Sequence, residues 1–139
     1  MSRIKITKKL LLTILFTLVL SRGASAYEED CIKGNCIDGF GVSEITGDYG
    51  QKYEGYFKNG KRNGKGIINY NNGDKYTGTF KDGYRDGQGT HLFSNGDKYI
   101  GEFKEGWLHG KGKMIFNSGE IYDGSWEESR FLGKWKNFS

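Results

Sequence analysis

Two histidines, two cysteines and a recurring set of glycines and carboxylates are the residues of this chain whose types could do chemistry. A histidine next to a cysteine or serine could generate a nucleophile. His91 and His109 have no such neighbour, and no serine stands in a nucleophile-elbow context. Two cysteines and two scattered histidines supply no tetrahedral ligand set. The pairs Gly64-Lys65-Gly66, Gly87-Gln88-Gly89 and Gly110-Lys111-Gly112 invite comparison with a phosphate-binding loop. Such a loop works through the N-terminus of the helix that follows it, and no helical pattern follows these glycines. Asp74, Asp97 and Glu120 recur in one slot. If their units lie two strand spacings apart, about 10 Å, these carboxylates cannot share a proton or a metal. No catalytic residue, cofactor or metal site is expected.

The spacing of these residues is itself informative. Tyr53-x-Gly55-x-Phe57 returns as Tyr76-x-Gly78-x-Phe80, Tyr99-x-Gly101-x-Phe103 and Tyr122-x-Gly124-x-Trp126, each time after 23 residues. Each unit carries two turn signals. Asn59-Gly60, Asp82-Gly83 and Glu105-Gly106 hold the first slot; Asn72-Gly73, Asn95-Gly96 and Ser118-Gly119 hold the second. Asn-Gly and Asp-Gly supply the positive φ values of tight hairpin turns. Alternation between the turns is the strand period, and the chain has no proline to interrupt a ladder. Parity then assigns faces. Tyr53, Gly55 and Phe57 point one way with Gly64, Gly66, Ile68 and Tyr70, while Glu54, Tyr56, Lys58, Lys65 and Ile67 point the other way. Glycine within a strand marks a close approach, here expected from the neighbouring rings. His91 falls in the slot of Ile68 and Met114 on the ring-bearing face, so it reads as a packed histidine. His109 falls in the slot of Asn63 and Asp86, read as a polar turn position.

The start of the chain has a different character. Arg3, Lys5, Lys8 and Lys9 precede an apolar run of 11 residues, Leu10–Leu20, and Ala24-Ser25-Ala26 follows. These are the three parts of a secretory signal peptide. The run falls short of the roughly 20 residues a membrane-crossing helix needs. Cleavage near Ala26 is expected, with export to a periplasmic or extracellular compartment. The full chain has 21 basic and 17 acidic residues, net +4. The leader holds five of the bases (Arg3, Lys5, Lys8, Lys9, Arg22) and no acid, so 16 bases would face 17 acids, net −1. A chain so near neutrality lacks the basic footprint of nucleic-acid binding. In an exported protein Cys31 and Cys36 read as a disulfide, with two reduced buried thiols as the alternative.

With these residues in place, the chain resembles the MORN-repeat family, whose unit reads Tyr-x-Gly-x-Phe/Trp, a glycine turn, then Gly-x-Gly. The resemblance implies an all-β fold, an elongated single-layer antiparallel sheet of successive hairpins. The organisation read from it is a signal peptide over 1–26, an N-terminal cap with a degenerate unit and the Cys pair over 27–52, and repeats over 53–75, 76–98 and 99–121. A partial repeat and C-terminal cap over 122–139 complete it. The segment from Gly41 to Gly50 is two residues longer than its counterpart from Gly66 to Gly73, which implies a bulge or longer loop before Tyr53.

Two surfaces are expected to bind. Ile67, Leu92 and Ile115, taken as equivalent positions opposite the ring stack, would form an apolar row. Tyr84 and Trp107 stand just after the first-turn glycine. Aromatic side chains of this kind anchor interfaces. Lys58, Lys81 and Lys104 form a basic row suited to solvation or to weak anion or lipid binding. The leading expectation is a scaffold for an unidentified protein partner or for self-association. Peripheral attachment to lipid headgroups comes second, as the family resemblance also implies, and stacking of glycans on exposed rings comes third.

Overall fold

The computed structural model describes residues 29–134; the leader over 1–26 and Trp135 lie outside the described residues. Ten strands follow one another: β1 (Glu29–Gly34), β2 (Gly39–Ile45), β3 (Gln51–Lys58), β4 (Lys61–Tyr70) and β5 (Lys75–Lys81), then β6 (Tyr84–Leu92), β7 (Lys98–Lys104), β8 (Trp107–Ile115), β9 (Ile121–Glu127) and β10 (Arg130–Lys134). Every strand pairs antiparallel with its sequence neighbours, giving one open ten-stranded sheet in sequence order. The degenerate N-terminal unit is thus a true hairpin of the sheet. β2 and β3 pair without a register shift, so the extra residues before Tyr53 form a longer loop, not a bulge.

The two turns of each unit solve the chain reversal differently. At Asp82-Gly83 both residues have positive φ (50° and 88°), the geometry whose twist matches paired strands. At Asn72-Gly73 only the glycine is left-handed, at 94°. Asn72 turns its side chain inward instead, and its Oδ1 accepts the Asp74 N–H at 2.9 Å. Successive hairpins are also tied at their tips. Gly83 N–H donates to Arg62 O at 2.9 Å, and Gly106 N–H to Arg85 O at 2.9 Å. At the other end the carboxylates of Asp74 and Asp97 accept the Ser94 and Asn117 N–H groups of the next unit, both at 2.8 Å. These acids are structural ties between repeats and not merely solvated charges.

A single-layer sheet has no second layer to bury its face, and the tyrosines supply that burial. Tyr53, Tyr76 and Tyr99 are 0 % exposed. Each ring lies across a cross-strand glycine pair, Gly55 opposite Gly66 in the first unit. A methyl group at Gly66 would come within 2.5 Å of Tyr53 Oη and 2.6 Å of its Cζ. The hydroxyl then reaches backbone: Tyr53 Oη donates to Tyr56 O at 2.8 Å and Tyr76 Oη to Thr79 O at 2.9 Å. Burial pushes the Tyr53 and Tyr99 hydroxyls up to about 12, so they remain neutral donors. Tyr53 and Tyr76 each meet two phenylalanines edge to face, one from their own unit and one from the next. Centroid distances are 5.1 Å (Tyr53–Phe57), 5.0 Å (Tyr53–Phe80), 5.1 Å (Tyr76–Phe80) and 4.9 Å (Tyr76–Phe103). Trp126 ends this ladder 5.5 Å from Tyr99, its indole N–H donating to Gly112 O at 3.0 Å.

Two arginines also lie on this face. Arg62 is 8 % exposed, stacks 5.1 Å from the Tyr53 centroid and pairs with Glu29 at 2.7 Å. Arg85 stacks on Tyr76 and Phe103 and approaches His91 Nδ1 at 2.8 Å. His91 is packed as expected, 4 % exposed against Phe93 and Tyr70. Because a guanidinium can only donate, Nδ1 is the acceptor and the ring proton sits on Nε2, 3.1 Å from Asp74 Oδ2. Burial, with the Arg85 charge, lowers the His91 pKa although Asp74 opposes it. Burial would raise the Asp74 carboxyl, but the Ser94 N–H, the His91 ring and Asn72 together hold it below its ordinary value.

Two predictions follow from this packing. Gly66→Ala drives a methyl into the Tyr53 ring and is expected to cost about 1–3 kcal/mol in urea unfolding, as overpacked cores do. In a Tyr53→Ala background the same change should cost clearly less, since the ring it collides with is gone. An equal cost in both backgrounds would show that the ring does not set the glycine. The second concerns pH. The folded His91 pKa lies below the ordinary 6.5, so the unfolded chain takes up this proton first as pH falls. Its contribution to stability is full above 6.5 and declines below it until the folded ring also protonates. The urea midpoint should drop from pH 7.5 to pH 5 more steeply in the natural protein than in His91→Met, which carries the residue of the next unit.

Candidate functional site

Tyr53, Tyr76 and Tyr99 of the ring-bearing face are fully covered, and the expected site residues lie at outward parity on the opposite face. Lys81 pairs across the hairpin with Tyr84, and Lys104 with Trp107. The structure brings these four together beside a groove of about 920 Å³, with Asp86, Gln88, Glu102 and His109 on its walls. Tyr84 is 59 % exposed and Trp107 56 %. They sit on β6 and β8, two strand spacings apart, about 10 Å. His109 lies within β8 opposite Glu102 and lines this groove; it is not in a turn. The carboxylates on the wall are held by backbone: Glu102 Oε2 accepts the Lys111 N–H at 2.9 Å and Asp86 Oδ2 the Glu105 N–H at 3.3 Å.

The remaining expected residues lie elsewhere. Lys58 is exposed but stands opposite Lys61, outside the groove. The apolar row is not continuous. Leu92 and Ile115 do hold equivalent rungs, each opposite Lys98. Ile67 is opposite Glu54 and Thr77, one outward rung farther along, where the next units carry Thr90 and Lys113. It shares the face of Leu92 and Ile115 but not their row, because two residues along a strand return to the same side at a different height. What Ile67 joins is a second depression of about 500 Å³ with Phe40, Tyr56 and Thr77, over the backbone of Gly55, Gly66 and Gly78. Phe40 and Tyr56 pair across β2 and β3. Their rings meet edge to face at 5.5 Å and remain 50 % and 51 % exposed. Sequence reasoning passed over both. Their signal was an aromatic ring at outward parity: the later units carry Thr79, Glu102 and Ser125 in the slot of Tyr56, and Lys65, Gln88 and Lys111 in that of Phe40.

Cys31 on β1 and Cys36 in the turn that follows it are joined by a disulfide, with Cα atoms 5.9 Å apart. Cys36 packs against the end of the aromatic cluster, and Glu29, two residues before Cys31, takes the Arg62 guanidinium and the Ser43 hydroxyl. The bond thus helps seat the edge strand whose carboxylate closes the inner face. Among the described residues no group of three or more His, Cys, Asp and Glu is placed to hold a metal ion. Asp74, His91 and Arg85 bond to one another beside a depression of about 530 Å³ on the ring-bearing face, which Tyr70, Phe93 and Met114 also line.

The chain matches the family model of the MORN repeat over residues 53–75, 76–98 and 99–121. No curated protein matches it. MORN repeats are protein- and membrane-binding modules, a role that an open sheet with one closed and one exposed face can serve. Three consecutive units, continued at both ends by hairpins of the same sheet, make the chain a member of the MORN-repeat family.

Proposed function

We propose that this protein is an exported, non-catalytic scaffold that binds a protein partner through the outward face of its sheet. The observation that carries the reading is the depression walled by the Phe40–Tyr56 pair and Ile67. Two half-exposed rings fixed edge to face by strand pairing form a rigid apolar wall, and the glycine backbone beneath them leaves room for an inserted side chain. Rigid aromatic anchors of this kind contribute disproportionately to protein interfaces. The Cys31–Cys36 bond supports a site of action outside the reducing cytoplasm, as does the leader-like start of the chain. The lysines give lipid headgroups weaker support. Lys81 and Lys104 stand among Asp82, Asp86, Glu102 and Glu105, so the local field is mixed, not basic.

The test is selection from a displayed random-peptide library on the purified protein. Enriched peptides should carry a large apolar residue, and Tyr56→Ala or Ile67→Glu should weaken their binding by roughly tenfold. Peptides indifferent to both changes would sink the reading. Pelleting with anionic vesicles that survives physiological salt would assign the face to lipid instead, and a concentration-dependent dimer lost in Tyr56→Ala would make the partner a second copy.

A further inference from the structure

The groove between Tyr84 and Trp107 meets the Phe40–Tyr56 depression at Gln88 but differs from it in chemistry. We propose that it is a separate binding site for an extended, β-linked polysaccharide laid across the strands.

Three observations define the ligand. The first is the pair of rings. Tyr84 and Trp107 follow equivalent turns one unit apart, both more than half exposed, and face the same groove. They form two platforms separated by about two strand spacings. In an extended β-1,4-linked chain every second sugar turns the same face outward, and two sugar units cover a comparable length. Such a chain can rest one pyranose face on each ring, whereas a compact ligand would meet only one of them.

The second observation is the charge of the walls. Lys81 and Lys104 stand next to the two rings, while Asp82, Asp86, Glu102 and Glu105 lie around and between them. A cation stacked on either ring would meet a lysine, and an anion would meet carboxylates on several sides. Both signs, however, hydrogen-bond to hydroxyl groups, as donors and acceptors in turn. A neutral ligand rich in hydroxyls is the one this wall suits.

The third is pre-orientation. One oxygen of Glu102 is fixed by the Lys111 N–H and one of Asp86 by the Glu105 N–H. The second oxygen of each carboxylate accepts no hydrogen bond among the described residues, and the Gln88 amide and His109 ring lie in the same groove. The acceptors are therefore held in place before a ligand arrives, which lowers the ordering cost of binding.

Calorimetric titration of the purified protein with cellohexaose and chitohexaose tests this, with maltohexaose and the corresponding disaccharides as comparisons. At least one β-linked hexaose should bind saturably, and roughly tenfold more tightly than its disaccharide, because only the longer chain reaches both rings. Tyr84→Ala and Trp107→Ala, each checked for an unchanged far-ultraviolet spectrum, should each weaken binding by roughly tenfold, while Tyr56→Ala leaves it unaltered. Absence of binding to both β-linked chains would overturn the proposal. So would equal affinity for the disaccharide, equal affinity for the helical α-linked chain, or indifference to Tyr84. Because Tyr56 reports on the other surface, a negative result here leaves the protein-binding reading standing.

Discussion

A tyrosine ring lying across two opposed glycines is the contact on which the rest of this fold depends. A sheet of one layer cannot bury a face against a partner layer, and a hairpin alone has too little apolar surface to stay folded. Removing both Cβ atoms lets the phenol lie directly on the backbone, so the ring packs against the strands themselves. Fully buried, it needs a partner for its hydroxyl, and the carbonyl three residues on provides one. Glycine weakens a strand in isolation. Here that cost is offset by the burial of an aromatic side chain, worth roughly 1.5–3 kcal/mol.

The same contact explains why the units must be contiguous. Each of Tyr53, Tyr76 and Tyr99 touches an aromatic ring of its own unit and one of the next, so its packing depends on a neighbour. The turn ties act in the same direction, from Arg62 O to Gly83 and from Asp74 to Ser94. Stability is then shared along the array and not stored in any unit. The ends have to close the ladder by other means. At the C-terminal end Trp126 replaces phenylalanine and anchors its indole on Gly112 O, with Phe131 5.0 Å away. At the other end Glu29 neutralises the buried Arg62 beside Tyr53, and the disulfide helps to hold Glu29 there.

Much of this was legible in the sequence, because a strand has a period of two and the unit a fixed length. The faces of Tyr53, Phe57 and Ile68, the packed state of His91 and the exposure of Tyr84 and Trp107 all follow from parity and alignment. Parity gives the side of a residue and the 23-residue spacing its height: Ile67 aligns with Thr90 and Lys113, and Leu92 and Ile115 with Asn69, so the expected row is out of step by two residues. Residue type misleads in a different way. Arg62 and Arg85 share the parity of the rings, yet a guanidinium is not expected inside until the aromatic faces that stack on it are known. The ties made by the acidic row are hidden for a similar reason. The N–H groups that Asp74 and Asp97 accept belong to the next unit's turn, a contact that no pattern within one unit contains.

The division between the faces also locates function. The inward positions that build the ring ladder are held to type and repeat as Tyr53, Tyr76 and Tyr99, each over its glycine pair. Outward positions carry no such constraint, and the informative residues are those that break the repeat there. Tyr56 has Thr79, Glu102 and Ser125 as its counterparts, and Tyr84 and Trp107 take the slot of Lys61. An exposed aromatic ring where its counterparts are small or charged stabilises nothing in the ladder. It remains at more than half exposure for Tyr56, Tyr84 and Trp107 alike. Departure from the repeat at outward parity is therefore what the two proposed sites have in common. One is an apolar depression near the N-terminal end, and the other is a polar, ring-bearing groove one unit farther along. A scaffold with one core contact repeated along it can present two different chemistries, because the outward side chains that line each depression are not fixed by the ring ladder.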